Sequence, residues 1–206
     1  MFRNFFVTAW RNLLKNRAHT ILNISGLALG VAVFVLIGVW LQRELSFDEF
    51  HKNANKIFRV SNTFKSESES FSQAPSGAAL GGRLPALLPS LESACPVFYE
   101  GFKIKAGDKQ FLEDRGIIAD SNFFNFFSFK LLRGNTSDVL LGPDKIVLTE
   151  SLAERYFGKE DPIGKTMLID GEFSMKVSGV AANVPVNSQL QFDLVLPVGF
   201  LKKRAM

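Results

Sequence analysis

The chain of 206 residues has one cysteine and two histidines, and this scarcity excludes several kinds of site. Cys95 has no partner for an internal disulfide, and it lies too far from the N-terminal apolar segment to carry a lipid, so we interpret it as a small buried hydrophobic residue. His19 and His51 flank that apolar segment on opposite sides. They therefore cannot share a metal ion.

The motifs of nucleophilic catalysis are also absent. The sequence has neither a Cys/His pair nor a Gly-x-Ser-x-Gly elbow. We interpret Asp48-Glu49 as the solvated start of a helix. We therefore expect no catalytic residues, no metal, no cofactor and no enzymatic activity.

The net charge of +4 is misleading, because it comes from one short segment. Residues 1–17 contain Arg3, Arg11, Lys15 and Arg17 and no acidic residue, whereas the remainder balances 20 basic against 20 acidic residues. A nucleic-acid-binding protein spreads positive charge over a folded face. We therefore expect no nucleic-acid partner.

A long uncharged segment predicts a transmembrane helix over residues 20–42. Its apolar part, Ile21 to Leu41, would extend about 31 Å as a helix and would cross the hydrocarbon core of a bilayer. The segment is longer than the apolar part of a secretory signal peptide, so we expect no cleavage. Gly26 and Gly30 form a small-xxx-small pair that favours close approach of another helix, although ordinary tolerance of glycine in membrane helices explains them equally well.

Residues 1–19 predict an amphipathic helix that lies in the membrane interface. Aromatic residues recur at helical spacing on one face, and basic or polar residues occupy the other. The residues predicted to contact the bilayer are Phe2, Arg3, Phe5, Phe6, Trp10, Arg11 and Lys15. Three Arg/Lys residues lie in the ten positions before the span and one in the ten after it, which favours a cytoplasmic N-terminus.

The remainder predicts an α+β domain, mostly antiparallel. Helices are expected at 77–91, at 150–157 and, capped and rich in phenylalanine, within 120–129. We expect those phenylalanines to form a core cluster rather than to enter the membrane. Strands are predicted at 57–64, 98–106, 109–119, 145–148, 166–169, 173–180 and 191–196, and 66–76 is expected to be a polar loop.

The stretch FGKEDPIGKTMLIDG, residues 157–171, superficially resembles a phosphate-binding loop. Such a loop has four residues between its first glycine and Gly-Lys-Ser/Thr. Five residues separate Gly158 from Gly164. Thr166 is predicted to enter a strand that leads to the hairpin signal Asp170-Gly171, not a helix. We therefore interpret the stretch as a structural turn.

Several stretches together resemble the N-terminal part of a MacB/FtsX-type ABC transporter permease. The resemblance covers nearly the whole chain from Phe2 to Pro197, in the order of that family. The stretches are AWRNLLKNRAHTILNISGLALGVAV, SFDEFHKNANKIFRV, IIADSNFFNFFSFKLLRGN, IVLTESLAERYFGKEDPIGKTMLIDG and VSGVAANVPVNSQLQFDLVLP.

The resemblance implies an interfacial helix at 1–19, a transmembrane helix at 20–42 and a MacB-like periplasmic core domain at 43–206. That domain would have a mixed α/β Porter-like portion and a mainly antiparallel β Sabre-like insert at about 120–197. It also implies that one group of residues is a structural motif of the core domain. These residues are Phe157, Gly158, Pro162, Gly164 and Lys165.

The implied function is that of a permease component in the inner membrane that couples a separate ABC-type ATPase to periplasmic motion, for export or efflux. Its expected partners are the lipid bilayer, that ATPase, and the remaining permease helices or a second permease copy. Family permeases continue into further membrane helices, whereas this sequence ends at GFLKKRAM. We therefore expect an incomplete core domain, either a fragment or a truncated gene product.

Two other classes of function remain open from the residues alone. A single-span, membrane-anchored periplasmic binding or sensor module would need a self-sufficient periplasmic fold. A membrane-anchored hydrolase would need an ordered nucleophile and base, which the sequence does not indicate.

Overall fold

The computed structural model describes residues 2–65, 70–73 and 78–205. It divides into two compact units, Met1–Phe47 and Asp48–Met206, which are described separately. The expected domains at 1–19, 20–42 and 43–206 stay predictions.

The first unit consists of two helices, α1 (Phe2–Lys15) and α2 (Arg17–Leu45). Asn16 separates them, with φ −109° and ψ 54°. α2 has 29 residues and a mean hydropathy of 2.5 in its most apolar part, so it is long and apolar enough to cross a membrane. It begins and ends three residues outside the predicted span, since the flanking polar residues continue the helical hydrogen bonds.

The described residues of the second unit form nine strands, four further helices and a short 3₁₀ turn at Ala54–Lys56. The strands are β1 (Asn62–Lys65), β2 (Ser70–Gln73), β3 (Val97–Ala106), β4 (Lys109–Ala119), β5 (Leu131–Arg133), β6 (Lys145–Thr149), β7 (Thr166–Ile169), β8 (Phe173–Ala181) and β9 (Leu194–Pro197). The helices are α3 (Ala78–Leu87), α4 (Phe123–Phe126), α5 (Glu150–Phe157) and α6 (Gly199–Arg204).

Six strands close into a ring in the order β8, β6, β9, β4, β3 and β7, because β7 also pairs with β8. β5 attaches to β8 outside the ring, and β1 and β2 form a separate antiparallel pair. The pairings are mostly antiparallel, as predicted, with parallel exceptions at β4–β9 and β6–β8. The chain is thus a mixed α/β structure with one apolar N-terminal helix and a β-rich domain.

Alternating residues of the central strands are buried on opposite faces of the sheet, so the domain has two apolar clusters. Ile118, Leu148 and Leu196 belong to the cluster that includes residues of α5 and α6. Their neighbours Ile117 and Val195 belong to the other cluster, with the phenylalanines of α4. Burial on both faces explains why these strands read as continuous apolar runs.

The phenylalanine-rich segment joins the core, as the sequence predicts. Phe123 and Phe124 are fully or almost fully buried. The Phe123 ring stacks on that of Phe129, with 5.4 Å between the ring centroids. The helix is shorter than expected, however, and the side chain of Asn122 at its start makes no capping hydrogen bond. The predicted helix is therefore present, but the predicted cap is wrong.

α5 has the predicted bounds because both of its ends carry specific signals. The Thr149 side chain accepts a hydrogen bond from the Leu152 N–H at 3.4 Å. Gly158 follows the last residue with φ 62°, in the left-handed region that glycine adopts without strain. The predicted hairpin also forms: Asp170 and Gly171 both have positive φ, and the Glu172 N–H donates to the Ile169 carbonyl at 3.0 Å.

Other elements differ from the predictions. The first strand covers 62–65 instead of 57–64, and β2 occupies part of the segment expected to be a loop, of which 66–69 and 74–77 lie outside the described residues. α3 ends at Leu87, close to its internal Pro85, which removes a helical hydrogen-bond donor. The final strand begins at Leu194 instead of Gln191. β5 and α6 were not predicted.

The implied insert boundary near residue 120 does not divide the sheet. β3 and β4 precede that position, and β6 to β9 follow it, yet all six belong to one ring. The parallel pairing of β4 with β9 joins the two parts directly. The Porter-like and Sabre-like division therefore stays a prediction from the resemblance.

We predict that Gly116→Ala destabilises the domain by about 1–3 kcal/mol through overpacking. A Cβ at Gly116 would lie 2.5 Å from the Glu100 carbonyl oxygen and 2.6 Å from the ring of the fully buried Phe102. Gly82→Ala is the matched control, because a Cβ there meets no atom within 4 Å. Thermal melts of the full chain in detergent should show a lower Tm only for Gly116→Ala, and equal melting of the two variants would contradict the prediction.

Candidate functional site

No arrangement typical of an active site is present in the described part of the chain. Among those residues, no three His, Cys, Asp or Glu side chains lie close enough together to hold a metal ion. Burial raises the pKa of the Cys95 thiol to about 12, so this thiol is a poor nucleophile. Three other features can carry function: the surface of the first unit, the turn at 157–165, and the elbow at 46–56 that follows α2.

Large apolar side chains of the first unit are exposed, because no other described residue of the unit covers them. Phe6 is 72% exposed and Trp10 65% exposed, and Arg11 and Lys15 are also exposed. The side chains of Phe2, Arg3 and Phe5 lie outside the described residues, although α1 includes their backbone. Contact of this helix with the membrane interface stays a prediction.

Gly26 and Gly30 lie on α2 where no described residue approaches them. A Cβ added at either glycine would have no atom within 4 Å. Nothing among the described residues therefore requires glycine at these positions. Their use in packing against another membrane helix stays a prediction.

The turn at 157–165 delivers the chain from α5 into β7. Gly164 has φ 81°, and its N–H donates to the Val177 carbonyl at 2.8 Å. The Lys165 N–H donates to the Pro162 carbonyl at 3.1 Å, and the Lys165 carbonyl accepts from Val177 at 2.9 Å. Sheet and turn thus use the backbone amides that a phosphate-binding loop would direct toward its ligand.

The charged side chains of this turn are paired locally. The Lys165 ammonium contacts the Glu160 carboxylate and lies 4.9 Å from the centre of the Phe157 ring. This contact lowers the pKa of Glu160. Asp161 accepts from the Ile163 N–H at 3.0 Å and from Arg133 at 2.7 Å, and the first of these bonds lowers its pKa. The group named by the resemblance therefore lies in a turn, and its role as a structural motif of the family stays a prediction.

A buried carboxylate on β4 was not found from the sequence. Glu113 is buried, accepts a hydrogen bond from the Tyr156 hydroxyl at 2.9 Å and pairs with Arg155 at 2.9 Å. Burial and the bond to Glu113 raise the pKa of Tyr156. Glu113, Tyr156 and Arg155 are thus bonded to one another, and their contacts hold α5 against β4.

Asp48 anchors the elbow to a distant loop, which corrects its interpretation as part of a solvated helix start. The segment is a turn in which Asp48 has φ 57°. Its N–H donates to the Asn187 carbonyl at 2.9 Å. Its carboxylate accepts from the Ser188 hydroxyl and the Gln189 N–H, both at 3.0 Å. Three hydrogen bonds thus fix the chain three residues after α2 ends.

His51 completes the elbow inside an aromatic cage. It is only 6% exposed, and the rings of Phe50, Phe127 and Phe129 lie 4.0, 5.7 and 5.1 Å from its ring. Burial lowers the pKa of His51, and the Asp48 carboxylate, 3.7 Å away, opposes this effect without reversing it. The cage therefore favours the neutral imidazole.

We predict that mild acid weakens the fold through His51. Because the folded pKa is depressed, the unfolded chain takes up the proton first, so the stabilisation is complete above about pH 6.5 and is lost as pH falls below it, by at most about 1.4 kcal/mol per pH unit. Urea unfolding of the full chain in detergent should show this loss. His51→Phe should remove most of it, whereas His19→Gln should keep it. An identical pH profile for His51→Phe and wild type would contradict the prediction.

Comparison with known proteins places the chain in a family. The sequence model described as the MacB-like periplasmic core domain matches residues 20–205. No curated protein matches the chain. The match includes most of α2 and nearly all of the second unit.

Three solved structures are similar to parts of the chain. A domain of a permease protein from Porphyromonas gingivalis has 24% identity and a TM-score of 0.47, over 55% of this chain and 55% of that chain. The periplasmic region of MacB from Actinobacillus actinomycetemcomitans has 22% identity and a TM-score of 0.49, over 61% and 56%. The extracellular domain of the ABC-type transporter YknZ from Gram-positive bacteria has 18% identity and a TM-score of 0.41, over 53% and 56%.

The chain spans a little over half the length of each of these structures. Their TM-scores lie below 0.5, so the assignment depends on the sequence match, which covers most of the chain. On that match, the chain belongs to the family of MacB-like periplasmic core domains.

Proposed function

We propose that this chain is a permease component of a MacB/FtsX-like ABC transporter, which couples a partner ATPase to motion of the periplasmic domain during export or efflux. The observation that carries the proposal is the family match from residue 20 to residue 205. It spans both the candidate membrane helix and the β-rich domain. The chain has no catalytic role in this proposal, and the ATPase is a separate partner.

The local chemistry of the chain supports a division of labour with that ATPase. The sequence that most resembles a nucleotide-binding loop is a turn in which the Gly164 N–H is bonded to the sheet and the Lys165 N–H is bonded within the turn. One membrane helix also cannot enclose a path for a polar substrate, because its backbone groups shield only themselves. The proposal therefore includes further permease helices or a second permease copy, with Gly26 and Gly30 as the surface for close contact.

The elbow is the proposed point at which motion of α2 enters the periplasmic domain. Asp48 follows the last residue of α2 by three positions and is bonded to the loop at 187–189. Lys52 adds a bond from its N–H to the Ser128 hydroxyl at 3.3 Å. A displacement of the chain at residue 48 therefore acts on two segments that lie far along the sequence.

A membrane-anchored periplasmic binding module is the second candidate. The ring of six strands favours it, because the pairing of β7 with both β3 and β8 leaves fewer free strand edges for another chain to pair with. This candidate requires no ATPase. The two functions therefore differ in whether the domain responds to nucleotide on a partner.

We predict an inner-membrane protein with a cytoplasmic N-terminus and with residues after 42 in the periplasm. The basic residues before the span outnumber those after it, and α1 would lie on the cytoplasmic surface of the lipid bilayer. Alkaline phosphatase fused after Met206 should be active, and a fluorescent protein fused before Met1 should be bright. An inactive phosphatase together with a dark N-terminal fusion would show that the orientation is the opposite of the predicted one.

We predict that ATP changes amide exchange in the elbow and in the loop at 187–189. The full chain would be reconstituted in nanodiscs with a candidate ABC-type ATPase and the further permease subunit that the proposal requires. Asp48→Ala should abolish the ATP response of that loop, because it removes both carboxylate bonds. Glu49→Ala is the matched control, since Glu49 is exposed.

Two results would contradict the proposal. If amide exchange in the wild-type chain is the same with ATP and with ADP, the membrane-anchored binding module is the better-supported function. If Asp48→Ala melts normally and keeps the full ATP response, motion does not enter the domain through the elbow.

A further inference from the structure

α1 and α2 form a groove of about 270 Å³ beside Asn16, where the helical path is interrupted. Residues from both sides of the interruption contribute to it. Its apolar lining comes from Trp10, Leu13, Leu14, Ile21 and Ile24. The volume is slightly below the roughly 300–1,000 Å³ of pockets that enclose a drug-sized ligand, so it suits part of a long apolar molecule.

Among the described residues that line the groove, Arg17 is the cationic one, and its hydrogen bond leaves part of the guanidinium available. The Thr20 hydroxyl donates to the Leu13 carbonyl at 3.0 Å, across the interruption. Arg17 lines the groove and donates from Nε to the Leu14 carbonyl at 3.3 Å. That bond fixes the guanidinium through Nε, while its two terminal nitrogens have the planar geometry that binds phosphate oxygens in pairs.

The charge around the groove has a single sign. Residues 1–17 contain four basic residues and no acidic one, and residues 20–42 contain no charged residue. An occupant must therefore combine an apolar part for the lining with an anionic group for Arg17. A zwitterionic headgroup would place its ammonium among these basic residues, which disfavours it.

We propose that this groove binds an anionic glycerophospholipid, with a segment of one acyl chain against Trp10 and Leu14 and the phosphate on Arg17. The inference depends on the proposed function in one respect, the placement of α1 in the membrane interface. It goes beyond that placement because general attraction to anionic lipids needs only the basic face of α1. The groove adds a site at which one lipid is selected and held.

The two tryptophans provide a direct test. Trp10 lines the groove, and Trp40 is the only other tryptophan, so Trp40→Phe in the full chain leaves Trp10 as the single reporter. This variant would be reconstituted in phosphatidylcholine vesicles that contain a small fraction of acyl-brominated phosphatidylglycerol or, separately, acyl-brominated phosphatidylcholine. Bromine quenches a tryptophan that the acyl chain touches.

We expect brominated phosphatidylglycerol to quench Trp10 at about a tenfold lower mole fraction than brominated phosphatidylcholine, because both phosphates can pair with Arg17 but only choline places a cation among the basic residues, a penalty of about 1.4 kcal/mol. Adding Arg17→Gln should remove most of this preference while quenching by brominated phosphatidylcholine persists. Arg11→Gln removes the same charge from a residue that does not line the groove. It should reduce the preference far less.

Three outcomes would overturn the inference. Equal quenching by the two lipids would leave α1 in the interface but without a selective site. Equal loss of preference in Arg17→Gln and Arg11→Gln would show general surface attraction instead of a site. Absence of quenching by either lipid would show that Trp10 is not in contact with acyl chains, and the interfacial placement of α1 would fail with the inference.

Discussion

The ring of six strands depends on a short seam between β3 and β7. Only two residue pairs join these strands directly, Ile104 with Ile169 and Lys105 with Leu168. Asp170 extends the seam: its N–H donates to the Lys103 carbonyl at 2.7 Å, and its carboxylate accepts from the Lys103 N–H at 3.0 Å. Because Asp170 has φ 53°, one residue both turns the chain toward β8 and continues the pairing with β3. Without this seam, β3 and β7 would be free edges, and the apolar cluster that includes Ile104, Met167 and Ile169 would lose its cover.

This seam also explains why the sequence between α5 and β7 resembles a phosphate-binding loop. The chain must leave a helix, reverse and enter a strand between two partners within a few residues. Glycine allows the positive φ at Gly158 and Gly164, and Pro162 accepts the bond that closes the turn. Lys165 is then held by Glu160 beside the Phe157 ring. The same residue types occur in nucleotide-binding loops because both structures need tight turns, but here the Gly164 amide is bonded to β8 and the Lys165 amide is bonded to Pro162.

Local patterns predicted the elements whose signals lie within one stretch of chain. α5 has its cap and its terminal glycine, β3 and β4 meet at Gly107-Asp108, and the hairpin at Asp170-Gly171 has its turn residues. Features that depend on distant partners were missed. β5 has only three residues and is defined by its pairing with β8. Asp48 and His51 have the local appearance of a solvated turn, whereas their partners lie at 187–189 and 127–129. A polar residue in a turn has the same sequence pattern whether its hydrogen-bond partner is water or a distant loop.

In the proposed function, the closed ring and the elbow are complementary. A force that reaches residue 48 meets a domain in which six strands are joined into a ring, so deformation of the ring requires breaking several backbone bonds together. The elbow is held at Asp48 by three hydrogen bonds, two of which go to its carboxylate, and by the burial of the His51 imidazole among aromatic rings. The two carboxylate bonds are worth about 1.5–3 kcal/mol each, which together is comparable with the lower end of the roughly 5–15 kcal/mol that stabilises a whole domain. In the proposed coupling, these bonds would therefore carry a displacement of residue 48 to the loop at 187–189.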